Sequence, residues 1–275
     1  MKSLLSILSV MLLCGVCVAQ DDAAEMTEAD QLQIAVQKIC PVSGNELGAD
    51  SIKTSIEGET FYLCCDGCSE GAPNADHMAA IHARRVEAQA ECPMMPKPVT
   101  SESPSGLVNG QRVWVCCPRC ARGLDSRGED ALEKVNVTLA SYVAAEQAQS
   151  TARLYMMAQG ICPVSGQALA GQEAPITVQH NDQMYFLCCG GCEGKDFNEE
   201  HVATINANFA GVQKFCPVGG ESREITVDSP SQLYNGVRVW TCCDACAEKF
   251  AENPEEYVEV LQQQYAAAAA ANAGG

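Results

Sequence analysis

Basic residues are scarce: 17 lysines and arginines stand against 35 aspartates and glutamates, for a formal net charge of −18. Phosphate backbones and anionic membranes are gripped by clustered Lys and Arg, and Arg84-Arg85 is too small a patch, so nucleic acid is excluded as a partner. Such an acidic surface serves solubility first and can also gather cations. There is no Gly-rich phosphate loop, nucleophile elbow or His-Glu metallohydrolase helix, which removes the motif basis for those enzyme classes. Histidine is rare too, with 4 in the chain. The one long apolar run, Leu4 to Val18, is short for a membrane span of roughly 20 residues. Behind Met1-Lys2 and before Ala19 it reads as a secretory signal peptide over residues 1–20. The expectation is a mature chain that is secreted or periplasmic and has no stable membrane insertion, Cys14 and Cys17 leaving with the signal.

Cysteine, by contrast, is abundant, and 16 of the 18 fall into one recurring pattern. A lone cysteine in a Cys-Pro turn is followed some two dozen residues later by Cys-Cys-x-x-Cys. The sets are Cys40 with Cys64, Cys65 and Cys68; Cys92 with Cys116, Cys117 and Cys120; Cys162 with Cys188, Cys189 and Cys192; and Cys216 with Cys242, Cys243 and Cys246. Recurring quartets of thiols signal a metal site or a disulfide staple per unit. The units alternate. Ile39-Cys40-Pro41-Val42-Ser43-Gly44 returns as Ile161-Cys162-Pro163-Val164-Ser165-Gly166, and Ser103-Pro104-Ser105 returns as Ser229-Pro230-Ser231. A pair of units was therefore duplicated as a pair. The expected organisation is unit A1 over 27–91, B1 over 92–147, A2 over 152–215 and B2 over 216–264, with a low-complexity tail at 265–275 that is unfolded or a fraying helix end. The stretch from Gln147 to Thr151 is the expected boundary between the halves. Units of about 50 residues have marginal cores and usually need staples or metals.

Each cluster is preceded by a two-residue turn candidate: Glu57-Gly58, Asn109-Gly110, Asn181-Asp182 or Asn235-Gly236. Such pairs between apolar runs predict a hairpin with a primed turn. The outgoing strand carries Tyr62, Trp114, Phe186 or Trp240 at one shared position, where core packing is the expected role and an aromatic platform beside a soft metal the alternative. After each cluster the period becomes helical, with Asn74 and Asn198 as cap candidates and a lead-in helix from Thr27 to Lys38. The fold class expected is small α+β: tandem units of hairpin, cysteine cluster and helix, stabilised by metal or disulfides.

Cys65-x-x-Cys68 has the spacing of a zinc knuckle, and Cys64-x-x-x-Cys68 is an alternative pair. On a strand Cys64 and Cys65 would face opposite ways, so one of the two is spare for a primary site unless the chain bends between them. Nine residues past each cluster stand His77, Glu129, His201 and Glu255; surface residues are expected there, and His77 and His201 are the candidates for an additional ligand. His82 and His180 are expected at the surface. Soft thiolates favour a transition metal ion, zinc first and Cu(I) second, over calcium or magnesium. Met94-Met95 beside Cys92 would suit Cu(I), though apolar packing is the simpler role.

Cys-Pro-Val, an aromatic strand ending in a cysteine cluster, and then Phe250-Ala251-Glu252-Asn253-Pro254-Glu255-Glu256-Tyr257 together resemble the YHS and TRASH group of small metal-binding domains. The resemblance covers all the units, roughly residues 32–262, with the full tail in the last one only. It implies a treble-clef-like hairpin and helix and the binding of heavy-metal or transition ions, in metal sensing, trafficking or resistance. It also implies a primary site of Cys40, Cys64 and Cys68 and their equivalents, with Cys65, Cys117, Cys189 and Cys243 as additions. The functional expectation is an exported store, scavenger or carrier of such ions. A structural zinc- or disulfide-stapled module that docks another exported protein is the alternative. A thiol-disulfide oxidoreductase built on Cys65-x-x-Cys68 is a third reading, but equal repeated copies point to stoichiometric binding and not to an enzyme.

Overall fold

Two-residue turns set the architecture. In the computed structural model, which describes residues 26–48, 50–171 and 176–273, both central residues of every turn before a cluster have positive φ. Asn109 and Gly110, for example, sit at 51° and 80°, the conformation of a primed turn whose twist matches its strands. The signal-peptide expectation, with Cys14 and Cys17, lies outside the described residues.

The chain divides into two compact units, 1–140 and 141–275. In the first, helix α1 (Glu28–Gln37) leads to the hairpin β1 (Ile52–Ile56) and β2 (Glu59–Leu63), a short turn at Asp66–Cys68, and helix α2 (Ala75–Gln89). A second hairpin follows, β3 (Ser105–Val108) and β4 (Gln111–Trp114), and then α3 (Pro118–Gln159). The division into units falls inside α3, which also runs unbroken through the expected boundary at 147–151. The second unit repeats the plan with β5 (Ile176–His180), β6 (Gln183–Leu187), a turn at Gly190–Cys192 and α4 (Glu199–Gln213). It continues with β7 (Phe215–Cys216), β8 (Gly220–Glu224), β9 (Ser231–Tyr234), β10 (Val237–Trp240), α5 (Asp244–Glu252) and α6 (Glu255–Ala273). The protein is thus small α+β, built of tandem hairpin–cluster–helix repeats, and among the described residues every sheet is two-stranded.

Capping explains where the helices begin. Thr27 forms a capping box with Asp30, and the carboxamides of Asn74 and Asn198 each accept from two first-turn amides. Pairing in register, Ile52 opposite Leu63 and Ile176 opposite Leu187, buries Phe61, Tyr62 and Leu63 in one unit and Tyr185, Phe186 and Leu187 in the other. Tyr62, Trp114, Phe186 and Trp240 are all buried, so the shared aromatic position packs in the core. Burying a side chain of this size contributes about 1.5–3 kcal/mol, and a hairpin alone would be marginal without it.

One kink shows the repeat where the sequence hides it. In the fourth repeat α5 stops at Asn253, φ −146°, before Pro254 restarts the chain as α6. At the equivalent place in α3, Arg127 has φ −134° and ψ 25° and breaks the helical path without any proline. Beyond the kinks, Val135 and Leu139 in one unit and Leu261 and Tyr265 in the other are buried; α6 packs as far as Tyr265 and runs on to Ala273 as a helix whose side chains are exposed or half-buried through residue 271.

Candidate metal centre

A glutamine at the end of each lead-in helix builds the site. Gln37 donates through Nε2 to the carbonyls of Ile39 (2.9 Å) and Tyr62 (2.7 Å), while its Oε1 accepts from the Tyr62 amide at 3.0 Å. Gln89 does the same to Glu91 and Trp114, Gln159 to Ile161 and Phe186, and Gln213 to Phe215 and Trp240. All four are at most 2 % exposed. Each stands three residues before the Cys-Pro turn and grips the strand two residues before the cluster. The clamp therefore fixes the lone cysteine against the clustered ones. Such buried amide bonds matter most for what their loss would leave unsatisfied.

Between clamp and cysteine the backbone turns through positive φ: 60° at Lys38, 55° at Ala90, 76° at Gly160 and 55° at Lys214. The Ile39 amide reaches back to the Gln37 carbonyl at 2.8 Å, and Ile161 to Gln159 at 3.0 Å, closing three-residue turns that are strained for any residue with a Cβ. The Cys-Pro loop then closes on itself, with Gly44 N to Cys40 O and Cys40 N to Asn45 O at 2.9 and 2.8 Å.

These elements bring three thiols of each repeat together. The sulfurs of Cys40, Cys64 and Cys68 lie within 4.8 Å of one another, as do those of Cys92, Cys116 and Cys120, of Cys162, Cys188 and Cys192, and of Cys216, Cys242 and Cys246. All sixteen described cysteines are free thiols. The neighbouring Sγ atoms are 3.7 Å apart for Cys64 and Cys68, 3.9 Å for Cys116 and Cys120, 3.7 Å for Cys188 and Cys192, and 3.6 Å for Cys242 and Cys246. A tetrahedral ion with metal–sulfur bonds of about 2.3 Å sets its thiolates about 3.8 Å apart, so the spacing fits such an ion. The lone cysteines are buried, and Cys65, Cys189 and Cys243 are exposed.

The vicinal cysteine is close but apart. The strand ends at Leu63 and the backbone folds into the turn at Asp66, so Cys65 Sγ comes to 3.8 Å from both Cys64 and Cys68 and does not face away from them. It is not grouped with the buried Cys40, whose close partners are Cys64 and Cys68.

Hydrogen bonding divides the thiols by acidity. Burial works against ionisation of Cys40, but the Ser43 hydroxyl and the amides of Ser43, Cys64 and Val42 overcome it and hold the thiol down to about 6; Cys162 is held at about 6 by the equivalent groups around Ser165. Burial first, and then the neighbouring thiols, push Cys68, Cys120, Cys192 and Cys246 up to about 12. Three negative sulfurs this close repel one another, and a cation is what would let all three ionise, releasing protons as it binds.

The imidazoles do not join these clusters. His77 and His201 sit on the Cys-Pro loop: a Cβ on Gly44 would lie 2.7 Å from His77 Nε2, and one on Gly166 the same distance from His201 Nε2. The space exists only because Gly44 and Gly166 have no side chain, and both take positive φ, 74° and 71°. His77 and His201 are placed as wedges that shape the loop. His180 is exposed as expected, with its ring against Phe197 at 4.5 Å, while His82 is half-buried and bonds Glu59 at 3.2 Å. Met94 Sδ faces the Arg127 guanidinium at 3.5 Å.

Two contributors escaped the sequence reading. The clamp glutamines were visible as Gln at a fixed three-residue offset before every Cys-Pro. The serine hydroxyls, Ser43 at 3.2 Å from Cys64 Sγ and Ser165 at 3.3 Å from Cys188 Sγ, were visible as the Ser of both Cys-Pro-Val-Ser motifs.

No family model, curated protein or solved structure matches this chain. The site's chemistry therefore carries the functional reading by itself: repeated three-cysteine groups, each with a further cysteine beside it, that could hold a metal ion. Among the described residues no helix is long and apolar enough to cross a membrane.

Proposed function

We propose that the chain is an exported protein that binds transition or heavy metal ions through its four thiol-rich repeats, as a store, scavenger or carrier. Zinc is the first candidate and Cu(I) the second, because thiolates are soft ligands. The observation that carries this reading is that two clustered sulfurs of each repeat lie 3.6–3.9 Å apart with the buried lone cysteine grouped beside them, all three within 4.8 Å of one another. A triad of thiolates leaves a coordination position open, as an exchangeable site requires and a closed four-thiol site does not. Kinship with the YHS and TRASH group belongs to the same proposal, supported by the positions of Cys40, Cys64 and Cys68. Equal copies support stoichiometric binding over turnover.

A structural role is the competing reading, favoured by the packing of Cys40 and Cys68 into one core cluster with Leu63 and of Cys162 and Cys192 into another with Phe186. Native mass spectrometry of protein from its own compartment, with and without chelator and reductant, separates them. Four ions that leave reversibly support metal handling. Ions that leave only on unfolding support the structural role, and a metal-free mass with every thiol oxidised to disulfide overturns both metal readings.

A further inference from the structure

Each Cys-Cys-x-x-Cys cluster has two faces, and only one of them is turned to the lone cysteine of the Cys-Pro turn. In the first repeat Cys64 and Cys68, 3.7 Å apart, form an edge shared by two triangles of sulfur. The inner triangle is completed by Cys40, 0 % exposed, and the outer one by Cys65, 3.8 Å from both edge atoms and open to solvent. The third repeat reproduces this, with an edge of 3.7 Å between Cys188 and Cys192 and with Cys189 at 3.9 and 4.0 Å from them. The ground beside the outer face is bare. The Cys65 and Cys189 sulfurs lie over Gly67 and Gly191, and a Cβ placed on Gly190 would meet nothing within 4 Å.

We propose that the outer faces, Cys64-Cys65-Cys68 and Cys188-Cys189-Cys192, are capture stations at which a soft ion delivered on a thiolate carrier is taken up before it passes to the inner triads. The proposal rests on the metal-binding reading and specifies how its ions enter and leave. Cys65 forms a sulfur–metal bond as one carrier sulfur–metal bond breaks, and the departing carrier sulfur takes the proton that Cys65 gave up. Cys64 and Cys68 displace the remaining carrier sulfurs in the same way, and Cys40 then binds as the Cys65 bond breaks, its proton passing to the freed Cys65 sulfur while the shared edge holds the ion. No oxidation state changes. A buried thiol cannot meet a carrier directly, whereas an exposed one three to four ångströms from two future ligands can.

The test uses the full chain and the variant Cys65→Ser/Cys189→Ser, both loaded with Zn(II). Native mass spectrometry counts the ions, and release to a chromogenic chelator in the presence of glutathione gives the exchange rates, the unaltered B1 and B2 sites serving as the internal reference. The expected result is an unchanged ion count with about tenfold slower exchange at the two altered sites. Unchanged rates would overturn the proposal, because Cys65 and Cys189 would be bystanders. Loss of two ions would also overturn it, because they would then be permanent ligands of closed sites. A Cys65→Ala/Cys189→Ala variant with a wild-type far-ultraviolet spectrum guards against a folding artefact. If the wild-type chain itself retains no Zn(II), the metal-binding reading fails, and that outcome is distinct from either of the others.

Discussion

The two halves of the molecule carry the same thiol clusters on differently wired scaffolds. In the first, Glu59 is 1 % exposed and is held by Arg85 at 2.6 Å, Arg112 at 2.7 Å and His82 at 3.2 Å, linking the α2 helix of the A repeat to β4 of the B repeat. In the second, these positions are Gln183, Phe209, Arg238 and Asn206, and the link runs from the Arg238 guanidinium to the uncharged Gln183 (3.1 Å) and on to Asn206 (3.4 Å), with no carboxylate in it. A second substitution has the same character: Tyr62 donates to Asp30 at 2.7 Å with Lys53 beside it, whereas Phe186 packs with Ala152. Clamp and cluster stay constant while the junction between A and B exchanges ions for amides and rings. The thiol geometry is therefore set by the clamp and not by the junction, and the junction is free to determine how each half responds to acid and salt.

The largest expected effect comes from breaking the ionic junction on one side only. Glu59→Gln leaves Arg85, 5 % exposed, as an uncompensated buried charge and should destabilise the first half by about 3–5 kcal/mol. Adding Arg85→Phe copies the neutral pairing of the other half and should recover most of that loss. Each half has one tryptophan, Trp114 or Trp240, so urea unfolding of Trp240→Phe and Trp114→Phe backgrounds reads the halves separately. A Glu59→Gln chain that unfolds like its parent would show that the ionic cluster contributes nothing.

Removing the clamp should act alike on both halves. Gln37→Leu and Gln159→Leu each orphan the buried backbone groups of the outgoing strand, at about 2–3 kcal/mol apiece. Both should also lower the ion count of the affected repeat, since the lone cysteine is no longer fixed against its cluster. A loss confined to one half would mean that the junction, and not the clamp, positions the thiols.

Much of this was legible from spacing. Cysteine offsets, turn pairs at a constant distance from the cluster, and Asn caps are local signals whose geometry needs no tertiary information, and the hairpins and helices formed where they point. The clamp was equally periodic, but an amide gains its role from buried carbonyls some 25 residues away, and nothing local distinguishes Gln37 from a surface glutamine. Glu59 opens a strand beside a turn, where charge normally faces water, so its burial depends on Arg85 and Arg112 arriving from other elements. His77 and His201 recur at one offset past their clusters, as an additional ligand would. The glycine beneath each of them is what makes them wedges.

Acid should separate the halves next. Burial works to raise the Glu59 carboxyl, but the bonds from His82 and Arg112 and the charge of Arg85 outweigh it and hold the group below its ordinary 4.5. Asp30 is likewise held far below the carboxylate range: burial opposes, while Lys53, Thr27 and Tyr62 prevail. A depressed carboxyl contributes stability that is fully present above its ordinary value and is lost as pH falls through the folded one. The Trp114 half should therefore weaken below about pH 4.5 and the Trp240 half much less, by a smaller amount than Glu59→Gln, since folded Glu59 stays largely ionised until the pH falls through its depressed value. Parallel acid titrations of the two tryptophan reporters check this.

The smallest effect lies at the strained turn before the lone cysteine, where the halves again differ. Lys38 and Gly160 are equivalent, with φ of 60° and 76°, and only the second lacks a Cβ. Lys38→Gly should relieve the turn and stabilise the first half by about 0.5–1 kcal/mol, set against the added freedom of glycine in the unfolded chain. Gly160→Ala should cost the second half about 1 kcal/mol or more, because the new Cβ would also lie 3.1 Å from Asn208 Nδ2, which donates to the Gln159 carbonyl at 2.9 Å. A stabilising Lys38→Gly with a destabilising Gly160→Ala in thermal unfolding would trace the strain to the turn itself. The reverse pair of signs would place the effect in the unfolded chain, where an added glycine costs entropy on folding and a removed one saves it.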